Sequence, residues 1–313
     1  MPTPITNVTT YSGEFLGEYL SASLLSGKTL NEGAVTIKPN VKFKSVLKTL
    51  SLTGAIADAE CDFTDAGTPS LNEVVLEPKS LQVNLQLCKT DFRDDWEAVQ
   101  MGFSAFDNLP PTFESFIMGH IAEQIAETIE KNLWNGDDSA GSGNNLFEGF
   151  EQRITSSTLN IGATTVSSSN VIQFLGGLVD AIPTAVYGKD DVMIYVPNNV
   201  FQAYVRALGG FAANIGAQGI DNKGTTHYSM GSGLTFDGIP LQMCPGMSNN
   251  RGIVAQKSNL YFGTGLVSDM NEVKLIDMAD IDGSQNVRFV SRFTAGTQVG
   301  IPSDTVHLVA SDS

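Results

Sequence analysis

The feature that most constrains this chain is the stretch Pro110 to Asp137, PPTFESFIMGHIAEQIAETIEKNLWNGD, which carries the start, stripe and stop of one long helix. Pro110 and Pro111 bring the chain in extended, and Pro111 suits a first turn, where its missing N–H has no partner to lose. Phe113, Ile117, Ile121, Ile125, Ile129 and Leu133 recur every four residues, with Phe116 and Ala122 widening the stripe, so one face is apolar throughout. Asn135 and Gly136, residues that tolerate a left-handed backbone, close it. A helix over 112–134 spans about 23 residues and reaches roughly 34 Å, enough to cross a domain. Such a spine needs sheet packed along it.

The 313 residues lie near the upper limit for one hydrophobic core, so one large or two interleaved domains are expected. Met1 to Asn40 is rich in Thr, Ser, Gly and Pro and reads as an extended arm. A short helix is predicted around Phe15, Leu16, Tyr19, Leu20 and Leu24. In Val41 to Thr90, SVLKTLSLTG and LNEVVLEPKSLQVNLQL alternate apolar and polar residues, with Leu81, Val83, Leu85 and Leu87 on one face. The polar segment AIADAECDFTDAGTPS separates them, which predicts two long strands in a projecting hairpin. A lone two-stranded hairpin is marginal in water, so this one is expected to rest on a neighbouring subunit.

Phe92 to Met101 reads as a short helix leading to the spine, and DDSAGSGNNLFEGFEQRI as a turn that reverses the chain after it. Ser168 to Ile182 reads as a capped helix, DDVMIYV as a buried strand and VPNNVFQAYVRALGG as a second helix. Ala212 to Ser232 is Gly-rich and almost free of large apolar residues. The strands LTFDGIPLQMC, RGIVAQ, LYFGTG, EVKLIDM, NVRFVSRFTAGTQVGI and DTVHLVA follow, the last ones expected beside the spine.

Catalytic patterns are missing. No G-x-S-x-G elbow occurs, and the run with Gly141, Gly143 and Gly149 follows a helix and lacks a closing Lys, so it is a turn and not a phosphate loop. His120, Glu123 and Glu127 share a helical face, yet a carboxylate-bridged metal bundle needs acids from other long helices, and none is predicted. His227 and His307 read as structural. Asp94 with Asp95, and Asp190 with Asp191, fall at element starts where carboxylates act as caps. Cys61, Cys88 and Cys244 have no metal-ligand spacing. Cys61 and Cys88 flank the predicted hairpin tip, so a bridge between them is compatible with the sequence. No catalytic, cofactor or metal residue is assigned.

Charge narrows the partners. Thirty-four acids against 18 bases give a net charge of -16, which opposes a duplex-binding surface and suits a protein that stays soluble at high concentration or does not hold packaged nucleic acid. No apolar run reads as a signal or a membrane span, so a cytoplasmic origin is expected.

The order of these elements, with four particular stretches, resembles the major capsid proteins of tailed bacteriophages, the Hong Kong 97 fold. The stretches are EKNLWNGDDSAGSGNNLFEGF (Glu130 to Phe150), MIYVPNNVFQAYVRAL (Met193 to Leu208), GIPLQMCPGM (Gly238 to Met247) and LQVNLQLCKTDFRDDWEAV (Leu81 to Val99). The last is similar to capsid proteins of phages infecting Bacteroidetes. The resemblance implies an α+β chain with an N-terminal arm at 1–40 and an E-loop hairpin at 41–90. It implies a peripheral domain at 91–154 and 268–313, and a compact α/β axial domain at 155–267. Gly209 to Ser232 would then lie near the five- and six-fold axes. The implied function is a structural subunit, not an enzyme, that self-assembles through hexamers and pentamers into a virion head around double-stranded DNA. It would be made in the host cytoplasm. Scaffolding, portal and decoration proteins are the implied partners, DNA being met only by non-specific proximity, with no membrane and no cofactor. Some relatives cross-link a hairpin Lys to an Asn near the returning strands, with a nearby Glu. Lys79 and Asn286 are present here, but FTAGTQVG offers no Glu, so no cross-link is expected. The chain begins at Met1 without a long helical leader, so scaffolding is expected as a separate protein or as residues already removed. An encapsulin-like nanocompartment shares the fold, and a hydrolase with a dispersed site is the remote alternative.

Overall fold

The computed structural model describes residues 27–41, 43–54, 56, 58–59, 61, 67–88, 111–209, 234–265 and 272–312. The predicted helices near Phe15 and at Phe92 to Met101, the acids Asp94 and Asp95, His227 and the Gly-rich stretch after Gly209 lie outside these residues. In chain order the elements are α1 (Lys28–Asn31), β1 (Thr36–Lys38), β2 (Ser45–Thr53), β3 (Thr68–Leu76), β4 (Lys79–Cys88) and the spine helix α2 (Pro111–Asn135). Then come α3 (Phe150–Arg153), β5 (Ser156–Asn160), α4 (Val171–Asp180), β6 (Val192–Val196), α5 (Asn198–Gly209), β7 (Thr235–Phe236), β8 (Ile239–Met243) and β9 (Arg251–Gln256). The chain ends with β10 (Leu260–Thr264), β11 (Glu272–Asp277), α6 (Ala279–Asp282), β12 (Asn286–Val299) and β13 (Val306–Ser311).

The spine forms where its pattern places it, and Ile121, Ile125, Ile129 and Leu133 are buried. The side chains of residues 111–120 and 122, among them Phe113, Phe116, Ile117, His120 and Ala122, lie outside the described set. The buried face is wider than the stripe, because Ala126, Glu130 and Trp134, again four apart, are buried on the adjoining ridge.

Two sheets flank the spine. The 14-residue β12 centres a five-stranded sheet: β4 pairs antiparallel along one edge, from Asn286↔Cys88 to Ala295↔Lys79, while β11 and then β10 share the other edge. β1 extends this sheet by pairing parallel with β10. The six-stranded sheet has the order β5-β13-β9-β6-β8-β7. Its central strands are apolar on both faces and read out in period two. Val192, Ile194, Val196 and Val254 join a core with α4 and α5, while Tyr195, Ile253 and Ala255 join the spine core. The β7–β8 hairpin turns through Asp237 and Gly238, both at positive φ, the two-residue turn that matches strand twist.

Three expectations need correction. The stretch read as one long second hairpin strand breaks at Glu77 and Pro78: β3 pairs with β2, and β4 departs to pair with β12. Proline cannot donate to a ladder, and it marks the change of sheet. The final strand does not join β12 in the five-stranded sheet: β13 sits between β5 and β9 in the six-stranded one, and its Val306, Leu308 and Ala310 enter the core with α4 and α5. Asp191 precedes a strand and not a helix. It accepts from Gln256 Nε2 at 2.8 Å and from the Ser258 hydroxyl, bonds that hold its carboxyl below the usual range.

Candidate assembly surface

Among the described residues, the β2–β3 hairpin is anchored at one end only. Its register pairs Val46 with Val75, Lys48 with Glu73, Leu50 with Leu71 and Leu52 with Pro69, so these eight side chains share one face. Apart from the Lys48–Glu73 ion pair at 3.0 Å, that face is apolar, and it is open: Leu50 is 70% exposed and Leu71 57%. Val46, Leu52 and Val75 are exposed with them, as are Phe43 before the hairpin and Ile56 beyond it. The opposite face is polar towards the tip, where Ser51 and Ser70 hydroxyls meet at 2.6 Å, and apolar only at the root, where Leu47 and Leu76 are buried. Alternation in strands normally turns the apolar face inwards. Here it faces out along most of the hairpin, the arrangement of a surface covered by another molecule.

The root rests on a seat of two facing glycines. Gly263 of β10 and Gly296 of β12 are register partners. A Cβ on Gly263 would stand 2.9 Å from the Leu76 side chain, and one on Gly296 2.9 Å from Pro78 Cα. Only a bare backbone lets the turn come this close. Polar contacts fix the angle. Gln298 Nε2 donates to Val75 O at 2.7 Å, and Gln298 Oε1 accepts from Arg153 Nη1 at 3.1 Å. Arg153 also bonds Thr297 and pairs with Glu148 at 3.3 Å. Two residues away on the same single turn of helix, Glu151 is buried against Arg251 at 3.0 Å and accepts from Ser248 N at 2.6 Å. Burial pushes the Glu151 carboxyl up, against the pull of Ser248 and Arg251. Helix α3 thus ties the six-stranded sheet, the five-stranded sheet and the hairpin root together. A cleft of about 590 Å³ lies under the hairpin, lined by β1, by Val46 to Thr49 of β2, and by Asn259, Tyr261 and Ile301.

The residues weighed for chemistry are dispersed. Glu123 and Glu127 are exposed on the spine, Glu127 pairing with Lys131 at 2.5 Å, and no group of three His, Cys, Asp or Glu fit to hold a metal occurs among the described residues. Gly141, Gly143 and Gly149 lie in the turn after the spine. His307 is buried on β13. Cys61, Cys88 and Cys244 are free thiols. The possible Cys61–Cys88 bridge is overturned by the strand break, which carries Cys88 away to pair opposite Asn286 while Cys61 stays near the hairpin tip. Lys79 pairs with Asp138 and stands at the opposite end of the β4–β12 ladder from Asn286. No helix among the described residues is long and apolar enough to cross a membrane. The residues that fix the hairpin root and the N-terminal segment, and that the sequence did not single out, are Glu130, Glu151, Arg153 and Gln298. The spacing Ala126, Glu130, Trp134 held a signal for the first. The others are polar residues whose partners lie far away in sequence.

No protein-family model and no curated protein matches the chain. Solved structures do match. The capsid of a native GTA particle shares 13% identity at a TM-score of 0.60, covering 91% of this chain and 91% of that one. The capsid of Cyanophage A-1(L) shares 12% at 0.58, covering 91% and 93%, and a chain of the satellite phage P4 procapsid 12% at 0.55, covering 93% and 98%. Identities this low speak of architecture alone, and that architecture is the tailed-phage major capsid protein fold.

Proposed function

We propose that this chain is a phage coat subunit that self-assembles through hexamers and pentamers into a closed head around double-stranded DNA. The observation that carries this reading is the outward apolar face of the hairpin, set on a chain whose fold is that of phage capsids. A neighbouring copy covers that face. In this reading residues 1–40 form the arm and the β2–β3 hairpin is the E-loop. The spine with the five-stranded sheet is the peripheral domain, and the six-stranded sheet with α4 and α5 is the axial domain, completed by β13. The Gly-rich stretch after Gly209 meets the symmetry axes. The role is structural and not enzymatic, in the virion, after synthesis in the host cytoplasm. Scaffolding, portal and decoration proteins are its partners, and the net charge of -16 keeps the enclosed DNA unbound.

The test is the double variant Leu50→Asp with Leu71→Asp in the full chain. Both side chains are exposed in the single subunit, so its stability should change by no more than about 0.5 kcal/mol per site. Two carboxylates buried in a subunit contact should abolish assembly. Closed shells at wild-type yield in electron micrographs would refute the proposal.

A further inference from the structure

The spine helix holds a buried carboxylate that no ion pair among the described residues neutralises. Glu130 is 5% exposed and accepts from Thr29 N at 3.2 Å and from the Thr29 hydroxyl. That hydroxyl in turn accepts from Trp134 Nε1 at 3.0 Å, so one threonine of the N-terminal segment is gripped by two side chains one helical turn apart. The grip is close: a Cβ on Gly27 would stand 2.9 Å from Glu130 Oε2. Leu30, Ala34 and Val35 bury themselves in the spine core just beyond, and Tyr195 donates to Ala34 O at 2.6 Å.

We propose that Glu130 is a proton-operated latch on the segment Gly27 to Ala34, holding it down when uncharged and loosening it when ionised. The reason is the inventory of groups around it. Lys28 and Glu32 stand on or beside α1, and Glu32 is engaged by Gln242. Cys244 lies at the end of β8, fully buried, its thiol pushed well up by burial and by Glu130. Lys257 reaches towards Gly33, and Tyr195 is spent on Ala34. On the spine itself, Lys131 is committed to Glu127. Among the described residues an ionised carboxylate here therefore rests on Thr29 and Trp134 alone, and lifting the segment returns it to water.

Burial pushes the Glu130 carboxyl above its ordinary value, outweighing the Thr29 and Trp134 bonds, with Glu32 adding repulsion. The sign follows. The hold is full below the ordinary carboxyl range and is lost as pH rises through the raised value, up to tenfold in the closing equilibrium per pH unit of separation. This latch is independent of what the subunit assembles into.

Amide hydrogen exchange of Thr29 to Ala34 in the full chain, corrected for intrinsic rates, tests it from below the ordinary carboxyl range, about pH 4, up to neutral pH. Fluorescence of Trp134 in a Trp96→Phe background gives a second readout. Wild type should lose protection as pH rises through the raised carboxyl value, and Glu130→Gln should show no such loss. Thr29→Val, which removes the hydroxyl but leaves the carboxylate, should show a larger loss than wild type and serves if Glu130→Gln does not fold. Equal pH slopes in wild type and either variant, or protection that grows with pH, would overturn the latch.

Discussion

At the scale of single residues, acid sensitivity is set by a buried histidine on the last strand. His307 is buried with Nδ1 against Ile154 O at 3.3 Å and Nε2 unpartnered, and burial, with Arg251 nearby, lowers its pKa to about 4. The folded ring is neutral at pH 7, whereas in an unfolded chain it takes a proton near 6.5. Its contribution is therefore complete above that value and lost as pH falls through about 4, a swing of about 3 kcal/mol by linkage. His307→Gln removes the titration, so the drop in unfolding free energy between pH 7 and pH 4.5 should shrink by about 2 kcal/mol. Denaturant titrations at the two pH values measure it, and parallel behaviour of variant and wild type would rule the role out. The sequence offered this histidine no Cys or Asp partner spacing. Its depth was not legible, since two strands distant in sequence bury it.

At the scale of elements, the spine makes the sharpest demand. Ile125 is buried, and Ile125→Asp should cost about 3 to 5 kcal/mol as an unpaired buried charge. Glu127→Gln, which loses only an exposed pair with Lys131, should cost at most about 0.5 kcal/mol. Comparable losses in thermal unfolding would mean that the stripe is not the inner face. The hairpin seat gives a second test. Gly296→Ala must push Pro78 aside, costing about 1 to 3 kcal/mol as overpacking does, and should tilt the hairpin and change the yield or size of assembled particles. Unchanged stability together with unchanged particles would show that the root has room. The spine was readable because its period is internal to one segment, whereas Glu130 was missed because an acid breaks an apolar stripe. Alternation in Val46, Leu50 and Leu52 announced a strand with an apolar face. It gave no sign that the face points outwards, because that depends on what the root packs against.

At the scale of the whole molecule, charge and topology set the terms of association. Copies carrying a net charge of -16 repel one another, so assembly from purified subunits should be faster and more complete at about 0.15 M salt than at 0.01 M, where the Debye length is roughly 30 Å. Light scattering across that range checks it, and slower assembly with added salt would assign the driving force to attraction between charged patches. Which segments share a sheet was the least legible property, because neighbours in sequence part between sheets: β4 leaves the hairpin, and β13 leaves the sheet of β12. The long β12 carries a consequence in time. Arg288 and Gln86 bond across this ladder although they stand 202 residues apart, so the sheet beside the spine cannot close until nearly the whole chain has left the ribosome. At about 5 to 20 residues per second that is a wait of roughly 10 to 40 s, and contacts this remote in sequence are slow to find even afterwards. The hairpin emerges early but has no seat until then, because Gly263 and Gly296, on which its root rests, are among the last parts of the sheet to be made.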